Sequence, residues 1–161
     1  MGLSSGACLS SLGHSVVCLD IDEAKISMLR SGRIPIVETG LAELVTAGIA
    51  SHSLKFTTEI SESIPQADVV FLCLPTPQDG DGSADLSYVE KAAGDIRTSL
   101  KPGAIVVNKS TVPVGTAVRV KNILQRDDVY VVSNPEFLRQ GTAVHDFLHP
   151  SRVVIGGDDP S

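Results

Sequence analysis

Tryptophan is absent from this 161-residue chain and aromatic residues make up only 4% of it, which leaves little from which to build a base-stacking platform. Basic runs are also missing. Thirteen Lys and Arg stand against nineteen Asp and Glu, giving a net charge of −6, so a nucleic acid partner held by an electropositive stripe is disfavoured. No apolar run reaches the roughly 18 residues of a membrane helix. The opening Met1-Gly2-Leu3-Ser4-Ser5-Gly6 has no basic segment ahead of an apolar one, so no secretory signal is expected. Cysteine is scarce and odd in number. Cys8, Cys18 and Cys73 lack metal-ligand spacing and lie in apolar surroundings, which points to reduced buried thiols in a cytoplasmic protein and to no metal site. What is present is a hydrophobic share of 42%, enough for one globular domain with its own core.

Helix and strand patterns alternate from end to end. Leu3 to Leu12 reads as a helix stopped by Gly13, and Ser15 to Leu19 as a short buried strand ending in Asp20. Asp22 can cap a helix running to Leu29, with Gly32 closing it. Leu41 to Val45 reads as a helix and Leu54 to Thr57 as a weak strand. Val69 to Leu74 predicts a strong buried strand halted by Pro75 and Pro77, and Gln78 to Ala84 a loop. A helix from about Leu86 to Leu100, a turn at Lys101-Pro102-Gly103 and a strand from Ala104 to Asn108 follow. Gly115 to Gln125 is the next helix and Val129 to Ser133 the next strand. A helix over Thr142 to Leu148 and a final strand at Val153-Val154-Ile155 complete the pattern. Short apolar strands separated by helices define an α/β class with a doubly wound parallel sheet, which binds ligands at the carboxyl ends of its strands.

Asp20 directly follows an apolar strand, where a Rossmann-type sheet carries the acid that holds the adenosine ribose of a dinucleotide. The glycine fingerprint before it is incomplete: Gly2 can be only its third glycine, with Gly6 one turn further on. An acid after a strand also often does no more than cap the next helix, and on the residues alone both readings stand. If a dinucleotide binds, charge selects NAD. A carboxylate about 5 Å from the 2′-phosphate of NADP costs about 3 kcal/mol at an effective dielectric near 20, less after screening. Asp20, Asp22 and Glu23 cluster there with no arginine to offset them, although Lys25 can reach a ribose or phosphate.

Several motifs, in order and with family-like gaps, cover essentially the whole chain. They are Gly2 to Gly6, Gly13-His14 through Asp20, Ile34-Pro35-Ile36 with Glu38-Thr39-Gly40, and Gly82-Ser83-Ala84-Asp85-Leu86. The most specific are Lys109-Ser110-Thr111-Val112-Pro113-Val114-Gly115 and Ser133-Asn134-Pro135-Glu136-Phe137-Leu138-Arg139. Together they resemble the UDP-glucose and GDP-mannose dehydrogenase family, the UDP-glucose branch above all. The resemblance implies an NAD-dependent oxidation of the C6 alcohol of a nucleotide sugar by two hydride transfers, in a homo-oligomeric enzyme. It assigns Gly2, Asp20 and Lys25 to the adenosine half of NAD, and Pro75, Thr76, Ser110 and Thr111 to the nicotinamide half. Glu136, Phe137, Leu138, Arg139 and Gln140 would line the sugar-nucleotide pocket, with Gln140 also near the nicotinamide. Thr111, at a strand end with Pro113 opening the next helix, can orient a water, and Glu136 can transfer protons directly or through water. Arg139 can hold a charged group in its planar fork. The plain alternatives are a capping role for Thr111 and an exposed Glu136–Arg139 ion pair worth a few tenths of a kcal/mol.

Three departures from the family pattern shape the expectations. Gln140 stands where the family commonly has glutamate, and it can neither take a proton nor carry charge. The usual first strand and first two fingerprint glycines have no counterpart, so the chain reads as a partial NAD-binding domain over 1–161. The family's linking helix, nucleotide-sugar domain and nucleophilic cysteine have none either, and Cys18 and Cys73, read as lying inside apolar strands, are poor substitutes. By itself the chain is expected to be inactive, and its open strand edges to limit solubility. The alternatives are a non-catalytic remnant that binds NAD or pairs with an intact subunit, and a fragment of a GDP-mannose enzyme.

Overall fold

A computed structural model describes residues 1–80 and 82–157. Asp81, inside the expected loop from Gln78 to Ala84, lies outside the described residues. In chain order the elements begin with helix α1 (Gly2–Ser11), strand β1 (Val16–Leu19) and helix α2 (Glu23–Arg30). Gly13 ends the first helical segment at φ +95°, a left-handed value that glycine adopts without steric cost. Asp22 caps α2 as its position predicts, accepting from the Lys25 backbone N–H at 3.0 Å. Helix α3 (Leu41–Ala50) runs further than its expected end at Val45, because Ile49 adds another packing residue against the core. Strand β2 (Leu54–Thr57) lies where expected. The short helix α4 (Ile60–Ser63) was not evident from the sequence.

Strand β3 (Val69–Leu72), helix α5 (Ser87–Ile96), strand β4 (Ile105–Asn108), helix α6 (Thr116–Leu124), strand β5 (Tyr130–Ser133), helix α7 (Ala143–Leu148) and strand β6 (Gly156–Gly157) complete the chain. β3 stops at Leu72, so Cys73 and Leu74 lie beyond the strand rather than in it. Nor is there a strand at Val153-Val154-Ile155. Those side chains are exposed, and the pairing with β5 is made instead by Gly156 and Gly157, opposite Ser133 and Val132. Pro113 does not open α6. Its carbonyl accepts from the Thr116 N–H at 3.2 Å and hydroxyl at 2.7 Å, and Gly115 at φ +90° separates that turn from the helix.

The chain forms two compact units. The first contains Met1–Ser63 and Phe137–Arg152. In it β1 and β2 pair in parallel, Val16 opposite Leu54 and Leu19 opposite Thr57. Ala7 and Cys8 of α1, Ile26 and Leu29 of α2, Leu41 and Val45 of α3, Leu54 and Phe56 of β2 and Val144 of α7 make its core. α1 comes unusually close to β1 at Gly6, where a Cβ would lie 2.6 Å from the Cys18 sulfur.

The second unit contains Ile64–Glu136 and the segment from Val153. Its sheet has the order β3-β4-β5-β6, parallel except for β6. α5 buries Val89, Ala93 and Ile96, and α6 buries Val120 and Leu124. The spacing of three and four residues puts each set on one helix face. Val106 and Val107 of β4 are buried as well. β1 and β3 are less buried than their apolar sequences predict: Val17 is 37% exposed, Val69 41% and Phe71 37%. Each of these strands pairs with one neighbour only among the described residues, and an edge strand has one flank without cover.

Candidate functional site

In the first unit the carboxyl end of β1 delivers Asp20. Its carboxylate accepts from the Asp22 N–H at 3.1 Å and forms an ion pair with the Lys25 ammonium. α2 supplies Lys25 one turn after the Asp22 cap, so the acid and amine expected to serve one ligand are held side by side. Gly2 is the first residue of α1. That helix has no acidic residue in its first turn and no side-chain cap, which leaves its first backbone N–H groups to an anion.

The same unit holds Phe137, Leu138, Arg139 and Gln140, three of them exposed and Leu138 partly so. Arg139 is not paired with Glu136. Its guanidinium donates to both carboxylate oxygens of Asp146, at 3.0 and 2.8 Å, and its backbone N–H donates to the same group at 3.2 Å. This fork holds the Asp146 carboxyl well below the usual carboxylate range. Glu38 fixes the next residues. One of its oxygens accepts from the Gly141 N–H at 2.8 Å and the other from the Ala143 N–H at 3.2 Å. Sequence reasoning gave Glu38 no role, because the contact joins positions more than a hundred residues apart.

In the second unit the carboxyl ends of β3 and β4 are laced together by hydroxyls. Ser110 is buried. Its hydroxyl accepts from the Leu74 N–H at 2.9 Å and donates to the Leu74 carbonyl at 2.7 Å. The Thr76 hydroxyl donates to the Thr111 carbonyl at 3.1 Å. These bonds fix the Pro75-Thr76 turn and leave the exposed Thr111 side chain at the strand end.

Glu136 lies just past the carboxyl end of β5. Both its carboxylate oxygens are buried, and neither has a hydrogen-bond partner among the described residues. Burial raises its pKa, and the nearby Lys109 charge opposes the rise. Lys109, one residue past β4, is itself buried and donates to the Asn134 side-chain oxygen at 3.0 Å. The sequence placed Lys109 at the head of a family-like motif, straight after an apolar strand, but gave its side chain no role. Cys73, one residue past β3, is pushed up to about 11, first by burial and then by the Glu136 charge, so its thiol stays protonated and unreactive. Among the described residues no group of three or more His, Cys, Asp or Glu could hold a metal ion.

Parallel strands alternating with helices, an acid at the carboxyl end of β1 and hydroxyls at those of β3 and β4 define a dinucleotide-binding domain of Rossmann type. A family model described as the UDP-glucose/GDP-mannose dehydrogenase family, NAD binding domain, matches residues 1–161, and the chain belongs to that family. It is 51% identical to a protein of Rhizobium meliloti named UDP-glucose 6-dehydrogenase, over 98% of this chain and 37% of that one. It is 47% identical to the UDP-glucose 6-dehydrogenase TuaD of Bacillus subtilis, over 97% and 35%. A UDP-glucose dehydrogenase structure from Pyrobaculum islandicum superposes with a TM-score of 0.90 at 38% identity, over 98% of this chain and 38% of that one. A GDP-mannose dehydrogenase structure from Pseudomonas aeruginosa gives 0.90 at 34%, over 98% and 39%. The chain thus spans a little over a third of the length of these relatives.

NAD is the cofactor of this domain, and the residues present fit it. The uncapped start of α1 suits a pyrophosphate, and Asp20 suits a ribose diol better than a 2′-phosphate.

Proposed function

We propose that the whole protein oxidises the C6 alcohol of a nucleotide sugar, converting UDP-glucose to UDP-glucuronate. NAD supplies the hydride acceptor for both oxidation steps. Asp20 and Lys25 orient the adenosine ribose, and the start of α1 with Gly2 receives the pyrophosphate. Pro75, Thr76, Ser110 and Thr111 position the nicotinamide half, with the Thr111 hydroxyl orienting a water. Glu136 takes and returns the proton, and Phe137, Leu138, Arg139 and Gln140 contact the sugar nucleotide. The observation that carries this reading is Glu136: both its carboxylate oxygens are buried with no hydrogen-bond partner among the described residues, a setting that suits a proton acceptor better than a surface charge. UDP-glucose is favoured because several relatives above 40% identity bear that substrate in their names.

Two measurements test the reading. Calorimetric titration of the 161-residue chain with NAD should show binding, and NADH absorbance with UDP-glucose added should show no turnover by this chain alone. In the protein carrying its flanking segments, NADH should accumulate with UDP-glucose and far less with GDP-mannose. There Glu136→Gln should lower kcat by about 10²–10⁴-fold and leave NAD affinity unchanged. Full turnover by Glu136→Gln would refute the assignment.

A further inference from the structure

Glu38 lies in the turn that leads into α3, where its carbonyl accepts from the Leu41 N–H at 3.2 Å. Leu41 belongs to the core of the first unit, and so does Val144 of α7. The two pieces meet closely at Gly40, where a Cβ would lie 3.8 Å from the Val144 side chain. Both ends of the Glu38 contact are therefore anchored, and its half-buried carboxylate joins them. One oxygen accepts from the Gly141 N–H at 2.8 Å and the other from the Ala143 N–H at 3.2 Å. Bonds from backbone N–H groups to a carboxylate are charge-assisted, roughly twice as strong as neutral ones. Gly141 is the bend of the segment, at φ +89°, a left-handed value that lets the chain turn from Gln140 towards α7. On the other side of Gln140, Arg139 is held by Asp146 through its backbone N–H and its guanidinium. Gln140 is thus an exposed residue between two fixed points.

We propose that Glu38 is a positioning residue for sugar-nucleotide binding: by holding the Gly141 and Ala143 amides it fixes the path of Phe137 to Gln140 and presents Gln140 outward. The inference rests on the reading that these residues contact the sugar nucleotide. A segment that is already fixed loses less conformational freedom when its ligand arrives, so the clamp contributes to affinity for that ligand. Glu38 acts through the segment rather than on the ligand. Asp20 and Lys25, assigned to NAD in the same unit, are paired with each other at the end of β1 and on α2. Loss of the clamp should therefore leave NAD affinity in place, whereas a general loosening of the unit would weaken both ligands.

The test compares Glu38→Ala with Glu43→Ala in the protein carrying its flanking segments. Glu43 is an exposed acid on the first turn of α3, so its loss removes the same charge without touching the clamp. Glu38→Ala should raise KM for UDP-glucose about 3–30-fold, the equivalent of a lost capping interaction, with kcat little changed. Glu43→Ala should leave KM unchanged, and the NAD dissociation constant, by calorimetry, should stay the same in both. An unaltered KM in Glu38→Ala, an equal rise in Glu43→Ala, or NAD affinity that falls in step with KM overturns the proposal. Should Glu38→Ala give no dispersed amide spectrum, Glu38→Gln reads the same contact, since its side chain keeps one acceptor oxygen in place of two. A smaller rise there supports the proposal, and no rise overturns it. Phe137→Ala separates the proposal from the reading beneath it. A rise with Phe137→Ala but not with Glu38→Ala refutes the positioning role alone, and no rise with either refutes the assignment of the segment as well.

Discussion

If Asp20 faces the adenosine ribose, as proposed, it favours NAD over NADP, and its setting moderates the effect. A bare carboxylate facing a 2′-phosphate would cost about 3 kcal/mol. Lys25 sits on the same carboxylate and is partly exposed, so part of that penalty is cancelled and part is screened. Asp20→Ala should weaken NAD binding by about 1.5–3 kcal/mol, the worth of hydrogen bonds to a charged group, and should narrow the gap between NAD and NADP. Calorimetry with both dinucleotides measures this, and an unaltered NAD affinity would remove Asp20 from the ribose. Not every functional neighbourhood could be read at this scale. The position of Asp20 was legible, directly after β1 (Val16–Leu19), because an apolar run ending in an acid marks a strand end. Lys109 was not, since no local rule says that a lysine after a strand will be buried against an asparagine twenty-five residues on.

Among the elements, the segment from Arg139 to Ala143 is held by two carboxylates, Asp146 on the arginine and Glu38 on two backbone N–H groups. Glu38→Ala leaves both N–H groups without their acceptor, at a cost of the order of a capping residue, about 0.5–2 kcal/mol. Amide exchange at Gly141 and Ala143 should accelerate about tenfold or more, with α5 and α6 unaffected. Unchanged protection at those two amides would show that the clamp is not needed. Helix starts and stops were legible from local chemistry at Asp22 and Gly13 but not at Pro113, which sits in the turn before α6. The end of β3 and the false strand at Val153 to Ile155 were not. Cys73 and Leu74 are as apolar as the strand before them, and the valines and isoleucine have high strand propensity but find no partner. Pairing depends on what the rest of the chain brings alongside.

At the level of the whole molecule, the α/β class and the locations of β1 to β5 followed from alternating patterns, whereas the depth of burial of β1 and β3 did not, because burial depends on having neighbours on both flanks. In a parallel ladder successive residues direct their backbone groups to opposite sides. The Val16 N–H bonds to the Ser53 carbonyl and the Asp20 N–H to Thr57, while the Asp68 and Leu72 carbonyls accept from Ile105 and Lys109. The amides of Val17, Leu19, Val69 and Phe71 therefore face away from their partner strands. In the 161-residue chain these four should exchange far faster than those of β4, which has neighbours on both sides. Full protection at all four would mean that another strand covers these edges in solution.

The first unit is also interrupted. Its closing piece, Phe137–Arg152, is separated from Met1–Ser63 by the body of the second unit, and Val144 of α7 completes the core begun by Ala7 and Cys8 of α1. On the ribosome, then, Met1–Ser63 emerges well before the piece that closes its core. Until α7 has been made, a nascent chain must hold α1, α2 and α3 with their apolar faces incompletely covered, while the second unit can assemble most of its own sheet. Synthesis order and folding order run against each other, which makes the early segment the part most dependent on chaperones and most open to proteases during translation.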